Sequence, residues 1–263
     1  MENKKRLVNR RKFIAGAGAG LLGIIGGSYF LNEDSEANRL LKEFPDEILG
    51  AGEVRKYRTE GARNCLVHIL QGHYVNEERY KSELKDMGFD SEDQIRSLYK
   101  EDMEKVKTCQ EEIYDILSYL IRNKGLSEVY VEGHTPEDEE AVNNIAKNIR
   151  LGIDRGNRKA LLDKYAFRAG APFRLLFEGK IQIKGAEILE SSEFKLRFNS
   201  FKSPEINEER EDVLLSLIDN SRKNFSVTVY GAGHNFGDNI IKWNSKNPER
   251  KFSLIEVVPK SYR

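Results

Sequence analysis

Short apolar runs recur along the chain, and each is closed by glycine or proline. They are rich in Val, Ile, Leu and Tyr, and they show little of the alternation expected of a strand with one face in water. Such runs are typical of strands buried inside a parallel sheet. Four of them are present, at residues 65–70, 129–131, 225–230 and 253–258.

Segments with apolar residues at helical spacing separate these runs. Ser91 is predicted to cap the longest helix, with Gln94 in the capping-box position, and Gly125 is predicted to end it. This helix exceeds 30 residues, so part of it is expected to project as a lid or a dimer arm. Thr135-Pro136 starts a second helix. Further helices are predicted at 157–169 and 207–222, and a strand or hairpin at 180–189.

The alternation of strands and helices predicts an α/β fold, with a mainly parallel sheet, helices on both faces and a long helical insertion. Residues 38–263 are expected to form a single domain, with insertions around 76–110 and 165–205.

The N-terminal 37 residues have the pattern of a twin-arginine export signal. Arg10 and Arg11 precede Lys12 and Phe13, and residues 13–31 carry no charge. Ser35-Glu36-Ala37 offers a small-x-small cleavage site. An uncleaved membrane anchor is the alternative, because 19 uncharged residues just span a bilayer. In both cases the twin-arginine translocon would be a partner and the domain would be extracytoplasmic, in the periplasm or on the outer face of the cytoplasmic membrane.

The charge pattern argues against one class of function, nucleic-acid binding, and the cysteines allow two chemical states. The chain has 43 basic and 43 acidic side chains, which are interspersed and leave no electrostatic footprint for nucleic acid. Its two cysteines, Cys65 and Cys109, could form a disulfide in an exported protein. Both occupy apolar positions, which favours buried free thiols.

Three of the four histidines follow a glycine at the predicted end of a strand. These are His73, His134 and His234, and Glu132 lies two residues before His134. Parallel strands bring their carboxyl ends to one edge of a sheet, where ligands bind. Imidazoles and a carboxylate suit Zn, Mn, Fe or Co, and such an ion polarises a carbonyl and activates water. We therefore predict these four residues as metal ligands, with Glu132 alternatively the general base.

Other residues have simpler interpretations. His68 lies inside the first apolar run and is predicted to be a core residue. His134 also fits a polar residue at a helix start. Glu187, after Gly185-Ala186, is either a turn carboxylate or a second acid.

The order of these motifs resembles a group of families that contains ChaN-like haem-binding proteins, erythromycin-esterase-like enzymes and TraB/GumN/TIKI proteins. The resemblance covers roughly residues 64–260 and rests on 66–73, 129–132 and Gly231-Ala232-Gly233-His234. The first site departs from the TIKI pattern, because Leu70 stands where that pattern has glycine. The resemblance implies an α/β fold and either metal-dependent hydrolysis or haem or metal binding.

The leading hypothesis is an exported metal-dependent hydrolase that cleaves an amide or ester bond of a small molecule or peptide at the strand ends. The alternative is a non-catalytic binder of haem or metal, in which a histidine, Tyr74 or Tyr230 is an axial ligand. A third hypothesis is an anchored surface protein whose long helix mediates assembly.

Overall fold

A six-stranded mixed sheet forms the centre of the protein. The computed structural model describes residues 35–72, 77–151, 170–187, 204–231 and 233–262. In chain order the described elements are α1 (Glu36–Glu43), β1 (Ala51–Tyr57), β2 (Asn64–Gln71), α2 (Glu77–Asp86), α3 (Glu92–Lys124), β3 (Glu128–Val131), α4 (Pro136–Leu151), α5 (Ala171–Phe177), β4 (Gln182–Gly185), α6 (Pro204–Ser221), β5 (Phe225–Gly231), α7 (Phe236–Lys246), β6 (Phe252–Pro259) and a final 3-10 turn (Lys260–Tyr262).

The strand order is β1-β6-β2-β5-β3-β4. Only β1 is antiparallel to its neighbour; β6, β2, β5, β3 and β4 run parallel. The predicted α/β fold with a mainly parallel sheet is therefore confirmed. Because these five strands share a direction, the segments that follow β2, β3, β4 and β5 leave the sheet at one edge.

The buried apolar residues form two clusters, and successive strand residues alternate between them. Cys65, Val67 and Ile69 of β2 belong to the first cluster, together with residues of α1, α3 and α5. Leu66 of the same strand belongs to the second cluster, with residues of α6 and α7. The strand sequences are apolar at nearly every position because the alternating side chains of each strand are buried in one cluster or the other.

The long helix is confirmed, and both of its predicted ends are in place. The Ser91 hydroxyl accepts a hydrogen bond from the Gln94 amide, and Gly125 ends the helix with φ = 65°. The second half of α3 packs into the first apolar cluster. Its first half pairs with α2, where the Tyr80 hydroxyl donates to Asp102 over 2.7 Å. The predicted insertion around 76–110 thus contains a helical hairpin.

Of the two possibilities for 180–189, the strand is confirmed, because β4 pairs parallel to β3. Other elements differ from the sequence-based expectation. The helices α1, α2, α5 and α7 and the edge strand β1 were not predicted. The predicted helix at 157–169 and much of the insertion around 165–205 lie outside the described residues.

Both cysteines are free and buried, as their apolar positions indicated. Burial raises the pKa of Cys65 to about 12 and that of Cys109 to about 11. Both thiols therefore stay protonated at neutral pH and are poor nucleophiles.

The uncharged segment 13–31, predicted as a signal or membrane anchor, lies outside the described residues. Within the ranges that the structure describes, no helix is long and apolar enough to cross a membrane.

The proposed cleavage motif lies inside folded structure. Ser35 caps α1 by accepting a hydrogen bond from the Asn38 amide over 3.3 Å. Ala37 is completely buried in the first apolar cluster, and the Asn38 side chain accepts from Ser253. Cleavage after Ala37 would require α1 to unwind from the sheet, and the free energy of that local unfolding opposes it.

For the export that the sequence predicts, we therefore expect the mature chain to retain Ser35, Glu36 and Ala37. Intact-mass measurement of protein recovered from the extracytoplasmic fraction tests this expectation. A mature chain that begins at Asn38 would contradict it.

Candidate functional site

Five polar side chains meet at the carboxyl edge of the sheet. Glu132 follows β3, Glu187 follows β4 and His234 follows β5, whereas Arg210 and Glu211 come from α6. We call these five residues the rim cluster. Glu132 retains the most exposure, with 13% of its side chain accessible, and the other four are buried.

Arg210 lies at the centre of the rim cluster. Its Nη2 donates to Glu132 Oε1 over 2.7 Å and to Glu187 Oε1. Its Nη1 is 3.2 Å from Nε2 of His234. One guanidinium thus contacts the groups that follow three different strands.

Backbone amides hold the two strand-end carboxylates in place. Gly231 N–H donates to Glu132 Oε2, and Gly133 N–H donates to Glu187 Oε1, each over 2.7 Å. Glu187 reaches this position because β4 ends directly against Thr135. A Cβ on Gly185 would lie 2.1 Å from the Thr135 carbonyl carbon, so only glycine fits there.

His234 is oriented by Glu211. Its Nδ1 is 2.9 Å from Glu211 Oε1, which also accepts the Asn235 amide over 3.0 Å. A carboxylate only accepts hydrogen bonds, so Nδ1 carries the proton in the neutral ring. The lone pair then lies on Nε2, which faces the Arg210 guanidinium.

The pKa of His234 results from opposing influences. Burial lowers the pKa, but the neighbouring carboxylates of Glu132 and Glu211 raise it by more. The pKa therefore lies above the usual histidine value. On protonation, Nε2 gains a carboxylate partner 3.4 Å away in Glu132.

Aromatic rings support the cluster from the sheet. The Tyr230 and His234 rings meet edge to face, with centroids 4.7 Å apart. Tyr230 is completely buried, and its hydroxyl donates to the Ala186 carbonyl over 3.1 Å. Burial raises its pKa well above the ordinary tyrosine value. These contacts do not support the axial-ligand role considered for Tyr230.

The structure brings together only some of the predicted site residues. Glu132 and His234 are in contact, as the strand topology implied. The His134 ring instead packs on Phe173, with centroids 4.9 Å apart, while its carbonyl accepts the Ala186 and Glu187 amides. His73 and Tyr74 lie outside the described residues. Glu187, treated as a turn carboxylate or a second acid, belongs to the rim cluster.

The described residues do not fit a divalent metal. Among them, no grouping of three or more His, Cys, Asp or Glu side chains is arranged to hold an ion. Both oxygens of Glu132 are engaged, and a guanidinium lies against Nε2 of His234. Metal ligation by Glu132, His134 and His234 therefore remains a prediction without support from this geometry.

Arg210 and Glu211 were not identified from the sequence, although a signal was present. They precede Leu214 and Leu215 by one helical turn, and both leucines are fully buried. A charged pair on the apolar stripe of a helix has to be buried with partners. That position indicated a polar cluster, but the sequence gave no indication of which residues would complete it.

Comparison with known protein families, curated proteins and solved structures finds no match to this chain. The proposed assignment below therefore depends on the geometry of the rim cluster and on the motif resemblance described above.

His68 is a core residue, as predicted, and its ring packs 4.8 Å from the Phe236 ring. It is completely buried, and within the described ranges neither ring nitrogen has a hydrogen-bond partner. Burial and the nearby His234 lower its pKa to about 3. The folded protein therefore holds His68 neutral where the unfolded chain takes up a proton.

We expect this difference to destabilise the protein in acid. The folded-state pKa lies below the unfolded value, so stability is lost as pH falls from the ordinary histidine pKa towards about 3. The expected loss from this residue is about 1.4 kcal/mol per pH unit. Urea unfolding of wild type and His68→Leu between neutral pH and about pH 5 measures it. An equal acid slope in both proteins would exclude His68 as the cause.

Proposed function

We propose that this protein is an extracytoplasmic hydrolase of ester or amide bonds, with His234 as the general base. The observation that carries this proposal is the Glu211–His234 pair, in which a buried carboxylate holds Nδ1 at 2.9 Å. The pair fixes both the ring orientation and the tautomer, as a general base requires. Its position at the carboxyl ends of parallel strands is where ligands bind in open α/β sheets.

The reaction follows from the proton positions. A water molecule that displaces the Arg210 N–H from Nε2 gives its proton to that nitrogen and attacks the substrate carbonyl carbon. The resulting imidazolium is stabilised by Glu211 at Nδ1 and by Glu132 near Nε2. When the tetrahedral intermediate collapses, His234 returns the proton to the leaving alcohol or amine and is neutral again.

Export through the twin-arginine translocon is part of the proposal and rests on Arg10, Arg11 and the uncharged segment after them. Relationship to the ChaN-like, erythromycin-esterase-like and TIKI group is likewise proposed from the motif order. We also infer that helices cover both faces of the sheet. The alternation of strand residues between two clusters, which contain different helices, supports that inference.

The pH dependence of hydrolysis tests the general-base proposal. We expect purified protein to hydrolyse members of a panel of nitrophenyl esters and nitroanilides, with kcat/KM rising as His234 loses its proton. Because Glu132 and Glu211 raise the His234 pKa, the midpoint of this rise should lie above the usual histidine value.

A folded protein that turns over no member of the panel at any pH would exclude the proposed activity for these substrate classes. A rate that rises at no pH where the protein stays folded would exclude His234 as the base.

A further inference from the structure

We propose that the Arg210 guanidinium is the fixed cation of the rim cluster and occupies the position that a divalent metal would need. Hydrolysis at this site would then proceed without a metal ion. The mechanistic part rests on the proposed function, but the metal-binding part can be tested without any activity.

The contacts of Arg210 are the first argument. Its two terminal nitrogens face two carboxylates and an imidazole, which are the ligand types that bind zinc and manganese. Nη2 bridges Glu132 and Glu187, and Nη1 faces Nε2 of His234. An ion bound by these three side chains would have to lie where the guanidinium is.

The permanence of the charge is the second argument. Burial lowers the pKa of Arg210, but the carboxylates of Glu187 and Glu132 raise it by more, so the net change is upward. A guanidinium stays protonated at every physiological pH. It therefore places a permanent single positive charge between Glu132 and Glu187, and that charge repels a second cation from the same space.

Arg210 also has hydrogen-bond donors that are available to a substrate. Its buried Nε has no hydrogen-bond partner among the described residues. The N–H of Nη1 becomes available when water takes its place at Nε2 of His234. That N–H is suited to donate to the carbonyl oxygen as negative charge develops on it, which is the function otherwise expected of a metal.

Metal content is the direct test. Wild-type protein is incubated with Zn²⁺ or Mn²⁺, dialysed, and analysed for bound ion and for thermal stability. We expect no retained ion and no metal-induced rise in Tm beyond that seen in His234→Ala. About one ion per chain that disappears in His234→Ala would overturn the inference.

Arg210→Ala provides the complementary test. Removal of the guanidinium leaves Glu132, Glu187 and His234 around vacant space, so we expect this variant to bind Zn²⁺ or Mn²⁺ and to gain thermal stability from it. The gain should vanish in the double variant Arg210→Ala/His234→Ala. A folded Arg210→Ala that binds no ion would overturn the inference, and the wild-type metal content decides the matter if this variant does not fold.

Activity distinguishes this inference from the proposed function. We expect wild-type hydrolysis to survive dialysis against a chelator. Loss on chelation and recovery with metal would overturn the inference while leaving the hydrolase assignment intact. Absence of hydrolysis under every condition would overturn the assignment, and the metal content of wild type would still decide whether Arg210 takes the metal's place.

Discussion

Replacing His234 with alanine should lower kcat by about 10²- to 10⁴-fold, the usual contribution of a positioned general base. The loss follows because the neighbouring carboxylates are already hydrogen-bonded. The Glu132 oxygens accept from Arg210 and Gly231, and Glu187 Oε1 accepts from Gly133 and Arg210. Steady-state kinetics on the best substrate of the panel measure the effect.

Glu211→Gln should reproduce much of this loss. A glutamine is able to donate its amide N–H to Nδ1, which would place the histidine proton on Nε2 and remove the base. Glu208→Gln is the matched control, since Glu208 is an exposed acid one turn away on α6, and its kcat should stay at the wild-type value. If His234→Ala keeps wild-type kcat, His234 is not the base.

Removing the guanidinium should cost the fold about 3–5 kcal/mol, the usual effect of breaking a buried ion pair. In Arg210→Ala, Glu132 and Glu187 both lose the guanidinium that lies between them. The Arg210 side chain is only 5% exposed and that of Glu187 only 2%, so the carboxylate charges left behind remain shielded from bulk water. Urea unfolding at neutral pH gives the free energy of unfolding.

A double-mutant cycle separates this coupling from lost packing. Glu187→Gln in the Arg210→Ala background should cost far less than Glu187→Gln alone, because the buried charge is no longer needed there. The control is Lys242→Met, which breaks the exposed Lys242–Asp212 pair between α7 and α6 and should leave the free energy of unfolding nearly unchanged. Additive effects of the Arg210 and Glu187 changes would contradict the predicted coupling.

Four of the six strands were evident from composition alone, because both sets of their side chains are buried. Residues of β2, β5 and β6 are apolar almost throughout, and a glycine or proline closes each run. The edge strand β1 was missed for the opposite reason. Its sequence contains Glu53, Arg55 and Lys56, and none of its residues is fully buried, so neither alternation nor a continuous apolar run is present.

The meeting of Glu132 and His234 was also determined by the sequence. Both residues follow apolar runs closed by glycine. Because parallel strands end at the same edge of a sheet, this placement could be predicted without knowing any side-chain contact. His134 was different, since it lies in the turn before α4, and only packing decided that its ring would lie on Phe173. The position of a residue after a strand predicts the sheet edge at which the residue lies. It does not predict where its side chain points within a turn.

The sequence by itself thus determined the α/β class, four strands of a mainly parallel sheet, and the edge of that sheet at which Glu132 and His234 lie. Only the tertiary structure decided which group neutralises the carboxylates there. Arg210 is 78 residues from Glu132 and 24 from His234 along the chain, and no local pattern relates them. The Arg210 side chain is long, and the packing of α6 on the sheet decides which carboxylates lie within hydrogen-bonding distance of it.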